Sequence, residues 1–241
     1  MLEETVLDKN VALPIRVVCA TRERERQFFT HTLTGASLKM CEQVTPFELR
    51  LHAENTTGLS ELYNLAIQEA GGDPCILVFI HDDISIRDFH WGRRIREGLD
   101  DYQVVGLAGN IRSVPFQPSW FFERIHEGSL LADDDKYLSG SVGHPTGEGG
   151  LVEVSHYGPT GQACKLLDGL LLAAHSEELL LSNLRFDEQF KFHLYDVDFC
   201  KAAENQGVTM GTIPLAVTHA SGGTYDERWA KTYAEYVNKW R

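Results

Sequence analysis

The run Cys75-Ile-Leu-Val-Phe-Ile80 ends directly in His81-Asp82-Asp83. An unbroken apolar run of this length reads as a strand buried on both faces, as in a mainly parallel sheet. Open α/β sheets hold their ligands beyond the carboxyl ends of the strands. The order of residues therefore puts a His-Asp-Asp cluster where such a fold does its chemistry. Residues i and i+2 of an extended segment share a side. His81 and Asp83 then face one site, and Asp82 faces away from it or toward a ligand group. An imidazole beside a carboxylate suits Mn2+ or a similar divalent ion. A solvated turn after a strand gives the same Asp-Asp pair, and these three residues alone leave both readings open.

The flanking sequence supplies an α/β frame. Residues 1–13 read as a loose lead-in, and Ile15 to Ala20 as a first buried strand. That strand ends in Thr21-Arg-Glu-Arg-Glu-Arg26, which puts Thr21, Arg22 and Glu23 on the ligand face. Phe47 to His52 read as a second strand ending near Glu54-Asn55. Leu59, Leu62, Tyr63, Ala66, Ile67 and Ala70 fall on one face of an amphipathic helix, which Gly71-Gly72 stops. Strand, helix and strand make a βαβ unit whose second strand delivers His81 to Asp83. Asp88 can cap a helix with Trp91, Ile95 and Leu99 on its inner face. Val104 to Ala108 read as a short strand ending at Gly109-Asn110.

Residues 111–165 change character. They hold Pro115, Pro118, Pro145 and Pro159, many glycines and the acidic run Asp133-Asp-Asp135. No period holds there, which suits a long irregular excursion with some hairpin structure, such as a substrate lid or acceptor-side insert. Trp120, Phe121, Phe122 and Tyr157 point to packing rather than a disordered surface loop. Leu166 to His175 resume a buried strand with Asp168-Gly169 inside it, and a carboxylate there needs a partner or a function. Asp196 to Asn205 read as a helix closed by Gly207. Val208 to Ile213 and Leu215 to Val217 read as strands broken by Pro214. Thr224 and Glu227 form a capping box before a last helix with Trp229, Tyr233, Tyr236, Val237 and Trp240 on one face.

Two further groups carry possible chemistry. Asp196 and Asp198 diverge on a helix, so one serves chemistry or capping and the other faces solvent. Asp196 sits at the helix start, where the dipole favours an ionised carboxylate, and reads either as a general base or as a plain cap. His219 precedes Ser221-Gly-Gly223. It can complete a metal shell, with glycines that let backbone approach a phosphate, or it is a surface histidine in a turn.

Charge narrows the partners. The 241 residues carry 22 basic and 35 acidic side chains, a net −13, which argues against a nucleic-acid binder. An acidic protein that takes an anionic phosphate ligand needs a local cation, and a metal held by carboxylates is the usual source. Five cysteines with no C-x-x-C spacing and no preceding signal peptide suit reduced thiols in the cytoplasm. No apolar run approaches the roughly 20 residues that cross a bilayer. There is no G-x-G-x-x-G after the first strand, no P-loop and no G-x-S-x-G elbow.

Taken in order, His81-Asp82-Asp83, Asp168-Gly169, Phe186-Asp-Glu-Gln-Phe190, His193-Leu-Tyr-Asp-Val-Asp-Phe-Cys200, Ile213-Pro-Leu and His219-Ala-Ser-Gly-Gly223 resemble family 2 glycosyltransferases of the GT-A fold. The likeness is to the soluble bacterial branch with HxD in place of DxD. It spans roughly residues 15–240 and is weak over 111–165. It implies one GT-A-like domain over 1–241, with a mixed, mostly parallel sheet flanked by helices. It implies an inverting transferase in polysaccharide biosynthesis, a nucleotide-diphosphate sugar donor, and Mn2+ or Mg2+. Asp83 matches the metal-binding Asp of the motif, His81 stands where an Asp usually does, and His219 matches a histidine of the metal shell. Asp82 would lie near the ribose or metal. Asp196 matches the catalytic base, with Tyr195 in place of the Glu before it. Thr21, Glu23 and Asn55 lie where the family contacts the nucleoside, and Asp168 and Gly169 where it contacts a sugar. The acceptor, whether saccharide, lipid-linked or protein, is not implied. The rival expectations are an inactive nucleotide-sugar-binding relative, a sugar-nucleotidyltransferase and a metal-dependent phosphohydrolase.

Overall fold

Apolar runs of five or six residues build the centre of the molecule. A computed structural model describes residues 13–147 and 150–241, so the expected lead-in lies, except for Leu13, outside the described residues. The first run forms β1 (Ile15–Ala20), followed by helices α1 (Phe28–His31) and α2 (Leu33–Cys41). Next come β2 (Glu48–His52), α3 (Leu59–Glu69) and β3 (Ile76–Ile80). Every residue of β3 is buried, as an all-apolar strand requires. Helix α3 buries Leu59, Leu62, Tyr63, Ala66 and Ile67, the face its 3.6-residue period predicts. Strands β2 and β3 both pair parallel with β1, so the βαβ unit spans a strand instead of joining neighbours.

The chain then alternates between two sheets. β4 (Ile84–Ile86) leads to α4 (Trp91–Leu99), whose Trp91, Ile95 and Leu99 are buried. The helix is not capped by Asp88. Its N-cap is His90, and the Asp88 carboxylate accepts from the His90 amide in a turn just before it. The strand expected over Val104–Ala108 is two strands, β5 (Val104–Gly106) and β6 (Ala108–Asn110), in different sheets.

The stretch 111–165 is far less irregular than its glycines and prolines suggest. It forms the hairpin of β7 (Phe122–His126) and β8 (Ser129–Ala132), then the antiparallel pair β9 (Leu138–Pro145) and β10 (Val152–Gly158), then β11 (Ala163–Cys164). β9 reads as aperiodic because small residues suit a strand covered on both faces. Gly140 has φ +103°, and a Cβ there would lie 2.1 Å from the Leu107 carbonyl oxygen. In the acidic run Asp134 and Asp135 are exposed but Asp133 is not. The Asp133 side chain is buried, accepts from Asn110 Nδ2 at 2.8 Å and is paired with Arg112.

The remaining elements are β12 (Leu166–Leu167), β13 (Leu171–His175), α5 (Ser176–Leu181), α6 (Tyr195–Asn205), β14 (Met210–Thr212), β15 (Val217–His219) and α7 (Glu227–Lys239). The main sheet has the order β11-β14-β5-β13-β3-β1-β2. Strands β2, β1, β3, β5 and β14 run one way, while β13 and β11 run against them. The second sheet, β12-β6-β9-β15-β4 with β10 on β9, is mostly antiparallel. All five cysteines are buried and free, and no helix among the described residues is long and apolar enough to cross a membrane.

An ion pair fastens the last helix. Asp198 does not face solvent as expected. It is 1% exposed and accepts from Lys239 Nζ at 2.7 and 2.8 Å and from Trp240 Nε1 at 2.8 Å. Burial pushes its pKa up even against Lys239. Helix α7 is capped by Asp226, which accepts from the amides of Arg228 and Trp229, and not by the Thr224–Glu227 box. Lys239→Met leaves the Asp198 carboxylate buried without its cation, so a urea melt should show a loss of about 3 kcal/mol with unchanged slope.

Candidate active site

Strand pairing brings the site together from segments far apart in sequence. β13 runs antiparallel to β3 with Leu171 opposite Ile80, and the His81 amide donates to Leu170 O at 3.1 Å. The turn just before β13, Asp168-Gly169, therefore lies beside His81. β15 runs antiparallel to β4 with His219 opposite Ile84, and the Ala220 amide donates to Asp83 O at 3.1 Å. That pairing sets His219 beside Asp83. The expected strand over Leu166–His175 is broken at Asp168-Gly169, and the break is what turns these residues toward the site.

His81, Asp83 and His219 form a compact donor set. One ligand atom from each lies within 4.8 Å of the other two. Ligands on opposite sides of an ion bound at about 2.2 Å are about 4.4 Å apart, so two imidazoles and a carboxylate at this spacing fit a small divalent cation. Burial alone would raise the Asp83 pKa, but hydrogen bonds from His219 and Ser221 outweigh it and hold the carboxyl well below the usual range. Ser221 Oγ donates to Asp83 Oδ2 at 2.6 Å. Burial lowers the His81 pKa, against the pull of Asp83, which favours the neutral imidazole that a metal ion needs.

Asp196 reaches the site from α6. The residue before the helix, Leu194, holds a left-handed conformation (φ 61°), a strained geometry for a branched side chain that sets where α6 begins. Asp196 Oδ2 accepts from the Gly169 amide at 3.1 Å. Burial, then repulsion from Asp168, push its pKa up to about 7, with backbone amides opposing. A carboxylate that takes and gives a proton near neutrality is suited to general base work. Asp168 has the partner its position demands: Trp120 Nε1 donates to Oδ2 at 2.5 Å, and the Leu170 amide donates to Oδ1 at 2.9 Å.

His81, His219, Asp168, Gly169 and Asp196 line one cavity of about 450 Å³. Its walls include Trp120, Tyr157, Phe192, Tyr225 and Trp229, and no Lys or Arg lines it among the described residues. Thr21, Glu23, Asn55, Asp82 and Asp83 do not line it; Asp83 lies behind Ser221 and His219, to which it is hydrogen-bonded or paired. Thr21, Glu23 and Asn55 gather where β1 and β2 end, with the Asn55 amide donating to Thr21 O and the Glu23 amide to Thr21 Oγ1. The Asn55 side chain is engaged with Thr57. The backbone of Asp82 accepts from the Thr34 amide. Sequence reading assigned no role in the site to Trp120, Phe192, Tyr225 or Ser221. A tryptophan in a Gly/Pro-rich stretch is a signal for Trp120; no local pattern marks Phe192 or Tyr225.

No family model matches the sequence, and no curated protein matches it either. Solved structures do resemble it. The catalytic domain of Drosophila β1,4-galactosyltransferase 7, in complex with xylobiose, aligns over 92% of this chain and 80% of that chain, at 9% identity and a TM-score of 0.52. GalNAc-T7 with UDP, GalNAc and Mn2+ aligns over 96% of this chain and 48% of that chain, at 12% identity and a TM-score of 0.50. The present chain thus spans about half the length of GalNAc-T7. A197 from STIV aligns over 87% of each chain at 10% identity and a TM-score of 0.48. The fold shared with the two transferases is a GT-A-like mixed α/β architecture.

The raised pKa of Asp196 has a stability consequence. The native carboxyl holds its proton up to about pH 7 and the unfolded one releases it near pH 4. Stability from this group is complete below the unfolded value and is lost as pH rises through the native one. Asp196→Asn should therefore be more stable than the parent at pH 8, by about 2 kcal/mol after screening at the open cavity, with the difference gone below pH 4. Urea melts across that range check it.

Proposed function

We propose that the chain is a metal-dependent, inverting glycosyltransferase, family 2-like, that moves a sugar from a nucleotide-diphosphate donor to an acceptor hydroxyl. The observation that carries this reading is that both histidines of the His81–Asp83–His219 donor set line the same cavity as Asp196, the carboxyl whose pKa is pushed up to about 7. The GT-A-like fold is consistent with it.

His81, Asp83 and His219 would hold Mn2+ or Mg2+. When bound, such an ion offsets the charge of the leaving diphosphate, in a cavity with no Lys or Arg to do so. Asp196 accepts the proton of the acceptor hydroxyl as its oxygen bonds to the anomeric carbon and the bond from that carbon to the diphosphate oxygen breaks. One displacement without a covalent enzyme intermediate inverts the anomeric centre. The Gly169 amide fixes the Asp196 carboxylate, and Asp168 offers a second carboxylate to sugar hydroxyls. Thr21, Glu23 and Asn55 contact the nucleoside from the ends of β1 and β2, and Asp82 contacts the ribose or the ion. Residues 111–165 form the acceptor side of a single catalytic unit. The aromatic faces of Trp120, Tyr157, Tyr225 and Trp229 suit the apolar faces of pyranose rings, which favours a saccharide acceptor.

The test is a thermal-shift panel of UDP, GDP, CDP and dTDP, each with and without Mn2+. One nucleotide should raise the melting temperature only with the metal. At 100 times its dissociation constant the gain is about 2.7 kcal/mol, or roughly 5–10 °C. Asp83→Ala should remove the shift. With the matching donor, Asp196→Asn should lower kcat about 10²- to 10⁴-fold while donor affinity stays within about twofold. A panel in which no nucleotide shifts the melt would sink the proposal. Donor binding without transfer by the parent protein would replace it with a nucleotide-sugar-binding role.

A further inference from the structure

The Tyr195 hydroxyl touches two groups at once. It lies 2.8 Å from the Gly169 carbonyl oxygen and 2.8 Å from His81 Nε2. A hydroxyl has one proton to donate, and a carbonyl oxygen can only accept. The proton therefore points at Gly169 O. The other bond must then be donated by His81, whose Nε2 carries a hydrogen. A neutral imidazole protonated at Nε2 has its lone pair on Nδ1.

We propose that Tyr195 is a positioning residue whose hydroxyl fixes His81 in the Nε2–H tautomer and so makes Nδ1 the nitrogen that meets a divalent cation. The tautomer half stands on the two hydrogen bonds alone; the cation half rests on the metal reading above. The arrangement is held from several sides. The Tyr195 ring is buried, with Tyr63 at 6.0 Å and Phe186 at 6.1 Å between ring centroids. Gly169 leaves room for the hydroxyl, since a Cβ there would lie 2.2 Å from Tyr195 Oη. Phe192 stacks on the His81 ring with an interplanar angle of 18°. Gly169 also links the two halves of the site: its carbonyl takes the Tyr195 proton and its amide donates to Asp196. Metal-binding histidines generally donate their second nitrogen to a partner that sets tautomer and ring orientation. Here a tyrosine hydroxyl takes that place, and Tyr195 is one of the two positions at which the sequence departs from the family it resembles.

The experiment is long-range 1H–15N NMR of the full chain with labelled histidines and no metal, with His81 assigned by its loss in His81→Gln. The expected spectrum shows His81 protonated at Nε2 and bare at Nδ1. Tyr195→Phe keeps the ring but removes the hydroxyl. It should release the tautomer to a mixture and weaken Mn2+ binding, measured with Mn2+ alone, about 10- to 100-fold. Phe192→Leu removes the stacked ring and leaves the hydroxyl, so it should keep the Nε2–H form. An Nδ1–H tautomer in the parent protein overturns the inference whatever the metal titration gives, and needs no variant that might misfold. An unchanged tautomer in Tyr195→Phe overturns the role of Tyr195. An Nε2–H parent that binds no Mn2+ overturns instead the metal reading under the proposed function, and with it the cation half.

Discussion

The site depends on one strand running the wrong way. Were β13 parallel to β3, as β1 is, its start would lie at the far edge of the sheet. Because it is reversed, Leu171 pairs with Ile80 and the His81 amide bonds Leu170 O. The turn before a reversed strand and the end of a forward strand then share one edge. Asp168, Gly169 and His81 become neighbours through backbone pairing, before any side chain is considered. The same device recurs in the second sheet, where β4 and β15 run against each other and place Asp83 beside His219. Backbone register is rigid on the scale that catalysis needs, and a site built on strand ends inherits that rigidity.

Electrostatics then divide the carboxylates by task. Asp83 receives hydrogen bonds from His219 and Ser221 and stays ionised, as a cation ligand must. Asp196 is pushed the other way by burial and by Asp168, toward the range where a proton moves easily at neutral pH. Asp168 is tied to the Trp120 indole. Asp198, two residues from Asp196, turns away and clamps α7 through Lys239. One short stretch of chain thus carries a carboxyl held near neutrality at the cavity and a structural one buried against α7, separated by the turn of the helix between them.

Much of this frame was legible in the residues. The apolar run of β3 and the largely apolar run of β1, interrupted by the buried, ion-paired Arg16, gave those two strands, and the helical periods gave α3, α6 and α7 nearly to their ends. What periodicity could not show was where a single apolar run changes sheets. Val104–Ala108 and Leu166–His175 each read as one strand because the pattern does not record that Gly106 and Ala108, or Leu167 and Leu171, belong to different strands. In 111–165 the expected hairpin structure is present, but the extent of strand was not legible, because a strand covered on both faces and rich in glycine has no alternation to detect. Capping was misassigned twice: Asp88 lies two residues before the His90 N-cap of α4, and Asp226 rather than Thr224 caps α7, since where the helical turn begins is set by packing and not by the nearest capping residue. In the site, His81 to Asp83 form a turn between β3 and β4 rather than the extended segment that the i, i+2 rule needs, and no local rule sets His219, Trp120 or Tyr225 beside them. These arrive through long-range pairing and through the insert.

The contact between Gly169 and Tyr195 also bears on how such a sequence can change over time. Any side chain at 169 collides with the hydroxyl, and loss of the hydroxyl leaves His81 Nε2 and the Gly169 carbonyl without their shared partner in a buried place. Positions 81, 169 and 195, far apart in the chain, are therefore inherited as one character. A lineage that carries this trio can leave it only by two coordinated substitutions, and each single step passes through a poorer protein. The contact thus couples three positions, so that a change at one is costly unless the others change with it.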